Sequence, residues 1–239
     1  PMGESVGKGL ARESARDMGL EPGTPVGVGI IDAHAGGVGM LGATLHGKRP
    51  TPGKLENRLA LIGGTSSCHM AVSREPKYIK GIWGPYFSAM VPGLWLTEGG
   101  QSATGSLIDY ALRCHPWYAA LKKEAKHAEQ TPYEYLNNML DELAKEKPFR
   151  AALTQERHVL PNHHGNRSPL ADPTLKGVHT GLKLDDSPRE LALQYLATIQ
   201  GVAYGTRHII EEMNKKGYTI KNIFACGGGT RNRIFLQEH

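Results

Sequence analysis

Apolar residues in this chain gather in short β-branched runs that end in glycine. Between Thr24 and Asp32, Val26, Val28, Ile30 and Ile31 form such a run closed by an acidic residue, which predicts a buried strand. The following AHAGGVGMLGATLHG is small and glycine-rich, a segment where backbones pack closely or approach a ligand. RLALIGGTSSCHMAVS predicts a hairpin, two apolar strands joined by a Gly-Gly-Thr-Ser-Ser turn. GLWLTEGGQSATGSLIDYALR predicts a short strand, a glycine break and a helix beginning near Ser102. From about His115 to Arg150 the pattern is helical, with Thr131-Pro132-Tyr133-Glu134 as a capping box. ERHVLPNHHGNRSPLADPTLKGVHTGL reads as a strand entering a long loop, and such loops are usually functional or disordered. Ser187-Pro188-Arg189-Glu190 is a second capping box; Leu191, Tyr195, Leu196, Ile199, Val202, Ile209 and Met213 continue the helix, and Gly217 stops it. TIKNIFAC then predicts a strand, GGGTRN a tight turn and RIFLQEH the opening of another helix.

The fold class is therefore α/β, with strands that finish in glycine-rich turns. In open α/β sheets such turns lie at the carboxyl edge, where phosphates meet backbone N–H groups and helix N-termini. With 239 residues, 39% hydrophobic and 21% charged, the chain can hold one large domain, or one domain and part of another. No apolar run reaches membrane-span length and the polar start does not read as a signal peptide, so no membrane partner is expected. Cys68, Cys114 and Cys226 are scattered without metal-ligand spacing, which fits reduced thiols and a cytoplasmic location. The formal charge is +5, yet the densest basic cluster, LKKEAKHAEQ, is interleaved with glutamates. That is the pattern of a solvated helix face, and no nucleic-acid partner is expected.

Three places could carry chemistry. Asp32, directly after the apolar run, could face a crevice as a general base for an attacking hydroxyl, or serve as a helix N-cap. The Gly63-Gly64-Thr65-Ser66-Ser67 turn offers consecutive backbone donors and hydroxyls suited to phosphates, or is a plain hairpin turn. Gly227-Gly228-Gly229-Thr230-Arg231-Asn232 could lay bare backbone against a ring or diphosphate with Asn232 at an adenine edge, or simply connect strand to helix. Neither a Walker P-loop nor a GxGxxG fingerprint is present. His158, His163 and His164 lack the further ligands that zinc needs, and Arg167 is a cation whose fork suits phosphate or carboxylate.

Together these segments resemble the FGGY carbohydrate kinases, and the resemblance runs through nearly the whole chain in family order. VGIIDAHAGGVG is similar to the segment that closes the family's first lobe, IGGTSSCHM to the phosphate loop opening the second, and FACGGGTRN to the adenosine-binding loop. PGLWLTEGGQSATGSLIDY and NHHGNRSPLADPTLKGVHTGL are similar to ribulokinase segments. The resemblance implies a two-lobed, actin-like (ribonuclease H-like ATPase) fold with a nucleotide cleft between the lobes. On it, residues 1–45 are the tail of the first lobe and 46–239 the nucleotide-binding C-terminal lobe, cut short at its C-terminal end. It implies ATP as co-substrate, Mg²⁺, and a ketopentose of the ribulose type, with another ketose or polyol (xylulose, glycerol) or a non-catalytic lobe as alternatives. Asp32 becomes the catalytic base, and Asp32, Ala33 and His34 contact the sugar. Gly64, Thr65, Ser66, Gly100 and Gln101 position phosphates, and Gly227, Gly228, Gly229 and Asn232 hold adenosine. No protein residue is named as a metal ligand, and a homodimer is left open. The sequence departs from the family pattern in lacking the first lobe's N-terminal phosphate loop, in ending inside the last helix, and in carrying His179 and Leu193-Gln194 in a loose second signature.

Overall fold

The computed structural model of the chain describes residues 2–239. Its framework is a five-stranded sheet in the order β3-β4-β2-β1-β7, built from β1 (Arg58–Gly63), β2 (Ser67–Ser73), β3 (Trp83–Phe87), β4 (Trp95–Gln101) and β7 (Asn222–Cys226). The expected hairpin is present, with β1 antiparallel to β2 and Gly63 opposite Ser67. β7 returns parallel to β1, placing Cys226 opposite Ile62, so β1 and β7 finish at the same end of the sheet. β4 runs antiparallel to β2 with Gln101 opposite Ser67, which brings its last residues to that end too.

Strand side chains alternate between faces, and the two faces are covered by different helices. Ala60, Met70, Val72 and Leu96 pack with Leu41 of helix α2 (Asp32–Leu41). Leu59 and Ala71 pack instead with Ile209 and Met213 of the 28-residue helix α7 (Pro188–Lys215). The N-terminal half of α7 enters a second core with α4 (Gly105–Arg113), α5 (Tyr118–His127), α6 (Pro132–Ala144) and α8 (Arg233–Glu238), centred on buried Leu121, Leu136, Leu191, Tyr195 and Ile234. A short ribbon, β5 (Val159–Leu160) with β6 (Val178–His179), brackets the long loop of residues 161–177.

Several expectations are corrected. The apolar run 26–31 is not a strand: it makes one isolated bridge, Ser5 to Gly27, and Val28, Ile30 and Ile31 are exposed. A strand exists only through its ladder, and the neighbouring segment 3–6 gives this run just three backbone bonds, from Gly3 N to Val28 O, Val28 N to Glu4 O and Val6 N to Val26 O. The glycine-rich stretch after it is helix α2; Gly37 brings the helix so close to Met90 that a β-carbon would overlap its sulfur. Gly99 and Gly100 do not break β4, which continues to Gln101, and the helix beyond starts at Gly105. The capping box of α6 forms in full between Thr131 and Glu134. Ser187 caps α7 through the Glu190 amide, but the Glu190 side chain turns away to the buried Arg157 guanidinium, so that box is half made.

Candidate active site

The carboxyl ends of β1 and β7 and the start of α4 converge on the Gly63–Ser67 turn. Thr104 N, Gly105 N and Ser106 N donate to the carbonyls of Thr65, Gly64 and Thr65 at 3.0, 3.0 and 3.3 Å, and the Ser106 hydroxyl adds a bond to Thr65 O at 2.9 Å. Such an approach requires glycine on both flanks. A β-carbon on Gly105 would stand 2.6 Å from Gly64 O, and one on Gly227, held at φ +92°, would collide with Gly63 O. The α4 N-terminus thus spends its donors on the turn's carbonyls. In exchange, the amides of Thr65 and Ser66 and the Thr65 hydroxyl have no protein partner among the described residues. Across the gap, the amides of Gly228 and Gly229 open a short 3₁₀ turn and are likewise free. Free consecutive amides of this kind form an anion-binding concavity.

Between them lies a cleft of about 610 Å³, within the usual 300–1,000 Å³ of small-molecule sites. Gly63, Gly64, Thr65, Gly228 and Gly229 line it, together with Asp109, Tyr133 and Asn137. The Tyr133 hydroxyl donates to Asp109, and burial together with that carboxylate raises the Tyr133 pKa above the ordinary phenol range. Phe235 forms part of the wall beside Gly229.

The expected site residues separate into groups. Gly64, Thr65, Gly228, Gly229 and Asn232 share this cleft, with Ser66 and Gly227 in the turns that shape it. Asn232 is largely engaged within the protein, with one Nδ2 hydrogen left over. Its Oδ1 caps α8 by accepting from Ile234 N and Phe235 N at 3.1 and 3.3 Å and also takes the Asn137 amide, while its Nδ2 donates to Tyr195. Gly100 and Gln101 lie outside the cleft. Gln101 Nε2 donates to Val202 O and Thr206 Oγ1 at 3.0 and 3.2 Å, tying β4 to α7, and Gly100 faces Arg167.

Asp32, Ala33 and His34 open α2, whose second turn reaches β7: a β-carbon on Gly36 would be 3.8 Å from Cys226 Sγ. Asp32 is the first helical residue rather than the N-cap, which is Ile31; its carboxylate is exposed, with Oδ1 accepting from Ala33 N at 2.7 Å. Ala33 and His34 turn toward the sheet. His34 is buried and its Nε2 meets Glu98 Oε2 at 3.1 Å. Arg167 completes this group, bonding Glu98 Oε1 at 2.6 Å and stacking 4.3 Å over Trp83. Arg167 is therefore not a free cation. Sequence reading missed Glu98, a buried carboxylate on the α2 face; the signal was an acidic residue inside the otherwise apolar strand run WLTEGG. Beside it, burial raises the Cys68 thiol pKa even though Arg167 opposes the shift.

Residues 59–239 match the family model for the C-terminal domain of the FGGY family of carbohydrate kinases. The chain is 52% identical to a human FGGY carbohydrate kinase domain-containing protein, over all of this chain and 44% of that protein's length. It is 36% identical to a D-ribulokinase of Saccharomyces cerevisiae, over 95% of this chain and 34% of that protein. In structure it is similar to the xylulose kinase of Rhodospirillum rubrum, with a TM-score of 0.69 and 27% identity over the whole chain and 41% of the kinase. The chain thus spans less than half the length of these relatives.

Proposed function

This chain belongs to the FGGY family of carbohydrate kinases and has the actin-like fold of its C-terminal portion, and on that premise we propose that it holds ATP for the phosphorylation of a ketopentose of the ribulose type. The observation that carries the reading is the cleft between two glycine turns with free amides at the carboxyl end of the sheet. In this reading the Thr65–Ser66 amides and the Thr65 hydroxyl take the terminal phosphates, and Gly228–Gly229 lie against the nucleoside. Asp32, exposed at the start of α2, orients the sugar hydroxyl and accepts its proton as that oxygen attacks the γ-phosphorus in line and ADP leaves. The sugar arrives on the α2 side, where the Glu98–His34 pair holds the first turn of α2 against β4. A ribulose-type substrate is favoured over a polyol by the D-ribulokinase among the relatives.

Mg²⁺ belongs to the same reading. Among the described residues no three His, Cys, Asp or Glu side chains converge on one point, and the side-chain oxygens lining the cleft come from hydroxyls, the Asn137 and Asn232 amides, Asp109 and Glu134. These donors suit a hard cation that keeps most of its water and enters on the phosphates. Bound there, it neutralises phosphate charge. A first-lobe tail at residues 1–45 and a C-terminal lobe from residue 46 complete the proposal.

The test is ADP release from Mg-ATP with D-ribulose, L-ribulose, D-xylulose and glycerol, measured on a protein of family length that carries this chain. A strong preference for one ribulose is expected. Preference for glycerol would overturn the substrate reading. Silence across the panel, in a protein that still binds ADP, would point to an untested sugar or to a sensing lobe without chemistry. The 239 residues alone are expected to bind ADP and to turn over little sugar.

A further inference from the structure

A second cavity, of about 210 Å³, lies between the end of β4, the loop of residues 161–177 and the α7 turn around Gly205. It is distinct from the nucleotide cleft; no residue lines both. Its volume is below that of sites for drug-sized molecules, so it suits a small ion or a compact metabolite.

The loop over this cavity is a built structure. The Asn166 side chain donates to Asn162 Oδ1 at 3.2 Å and accepts from Leu170 N at 3.0 Å, while its backbone exchanges bonds with Asp172 at 2.8 and 2.9 Å. Gly165, at φ +69°, packs on Pro173 so tightly that a β-carbon would stand 2.6 Å from its Cα. The loop is thereby fixed with particular side chains facing inward.

Those side chains are mostly amides and hydroxyls, with one guanidinium and one imidazole. Asn162 is 6% exposed; its carbonyl is taken by Asn166, which leaves its amide nitrogen free. Ser168 is 3% exposed and its hydroxyl has no protein partner. Gln101, Ser102, Tyr204 and His208 also line it, and His208 Nε2 stands 4.0 Å from Glu212 Oε1 outside the cavity. Arg167 also lines the cavity: its terminal nitrogens serve Glu98 and Cys68, while its Nε is buried and unpartnered. No carboxylate lines the cavity. A buried donor left without an acceptor is costly, of the order of 1–3 kcal/mol; the Arg167 Nε is one, and the unpaired Asn162 amide and Ser168 hydroxyl beside it could serve the same acceptor-rich guest.

We propose that this cavity binds a small oxyanion, a phosphate group or a compact carboxylate, held by Asn162, Ser168, His208 and the Arg167 Nε. The same Arg167 grips Glu98, which bonds His34 on α2. An occupant is thus connected through the Arg167–Glu98 ion pair and the Glu98–His34 hydrogen bond to the helix that carries Asp32. The site itself stands independently of the kinase reading.

The experiment is calorimetric titration of the chain with inorganic phosphate, and separately with malonate, in the presence of saturating ADP. Three variants accompany it: His208→Glu, which sets a carboxylate at an exposed rim position; Ser168→Ala; and Thr65→Ala in the other cleft. Circular dichroism melting verifies that each folds. Binding of one anion, weakened about tenfold or more by His208→Glu and by Ser168→Ala and unchanged by Thr65→Ala, is the expected result. Phosphate alone binding identifies a phosphorylated ligand, and malonate alone a carboxylate. Anion binding that Thr65→Ala abolishes and His208→Glu leaves intact would overturn the site. So would no heat from either anion up to tens of millimolar.

Discussion

Asp32 is the side chain on which the proposed chemistry turns. It stands exposed on the first turn of α2, with one carboxylate oxygen on the Ala33 amide. Asp32→Asn keeps the shape and the helix start but removes the proton acceptor. In the full-length enzyme it should lower kcat by about 10²- to 10⁴-fold with the ADP dissociation constant unchanged, as single-turnover phosphoryl transfer and ADP titration would measure. Retained turnover would take the base role from Asp32. A different residue makes stability depend on pH. His69, on β2 beneath α7, is fully buried, meets Thr206 at 2.9 Å, and has its pKa pushed down to about 3, chiefly by burial. In the unfolded chain it takes a proton near 6.5. The unfolded state therefore binds the extra proton between those values, so the stability is fully present above about pH 6.5 and is lost as pH falls toward 3. Its slope is about 1.4 kcal/mol per pH unit. Urea unfolding at pH 7 and pH 5.5 should show this loss, and His69→Gln should flatten it. An unchanged slope would assign the effect to His115, His163, His179 and His239, whose pKa values burial also depresses.

At the scale of elements, the long helix α7 joins one face of the sheet to the helical core of α4, α6 and α8. Its start was legible because Ser187, Pro188 and Glu190 follow a local chemical rule. Half of that rule was overridden by tertiary structure: Glu190 pairs with Arg157 from the segment before β5, and Arg157 also donates to Gly181 O at 3.2 Å. Both partners are nine-tenths buried or more. Glu190→Ala would leave a buried guanidinium without a counter-charge, and it should destabilise the chain by about 3–5 kcal/mol. The double variant Arg157→Met, Glu190→Leu should recover most of that loss in urea unfolding. If the single variant lost less than about 1 kcal/mol, water would be reaching the pair. The hairpin β1–β2, the helices α6 and α7 and the strand β7 with its glycine turn were all read correctly from local pattern. The run at 26–31 was not, because β-branched residues state a preference for a strand and only a neighbouring strand can satisfy it.

For the molecule as a whole, the sequence by itself determined the α/β class, the order of most elements and the positions of the two glycine turns. These depend on periodicity, capping and backbone freedom, which act within a few residues of one another. It also carried the family, because several linked segments occur in the family's order. Tertiary structure decided which candidates share a site. Gly64 and Gly228 lie more than a hundred and fifty positions apart and meet only because β7 returns parallel beside β1. Gln101, Asn232 and Arg167 each looked available in the sequence, and each is bound to distant partners: Gln101 to α7, Asn232 to Asn137 and Tyr195, and Arg167 to Glu98. Glu98 stood out in the sequence only as an acidic residue in an apolar run, and folding supplied its partners by burying it between His34 and Arg167. A polar group's role depends on which partner folding brings to it, and long-range contacts of that kind leave no mark on local pattern.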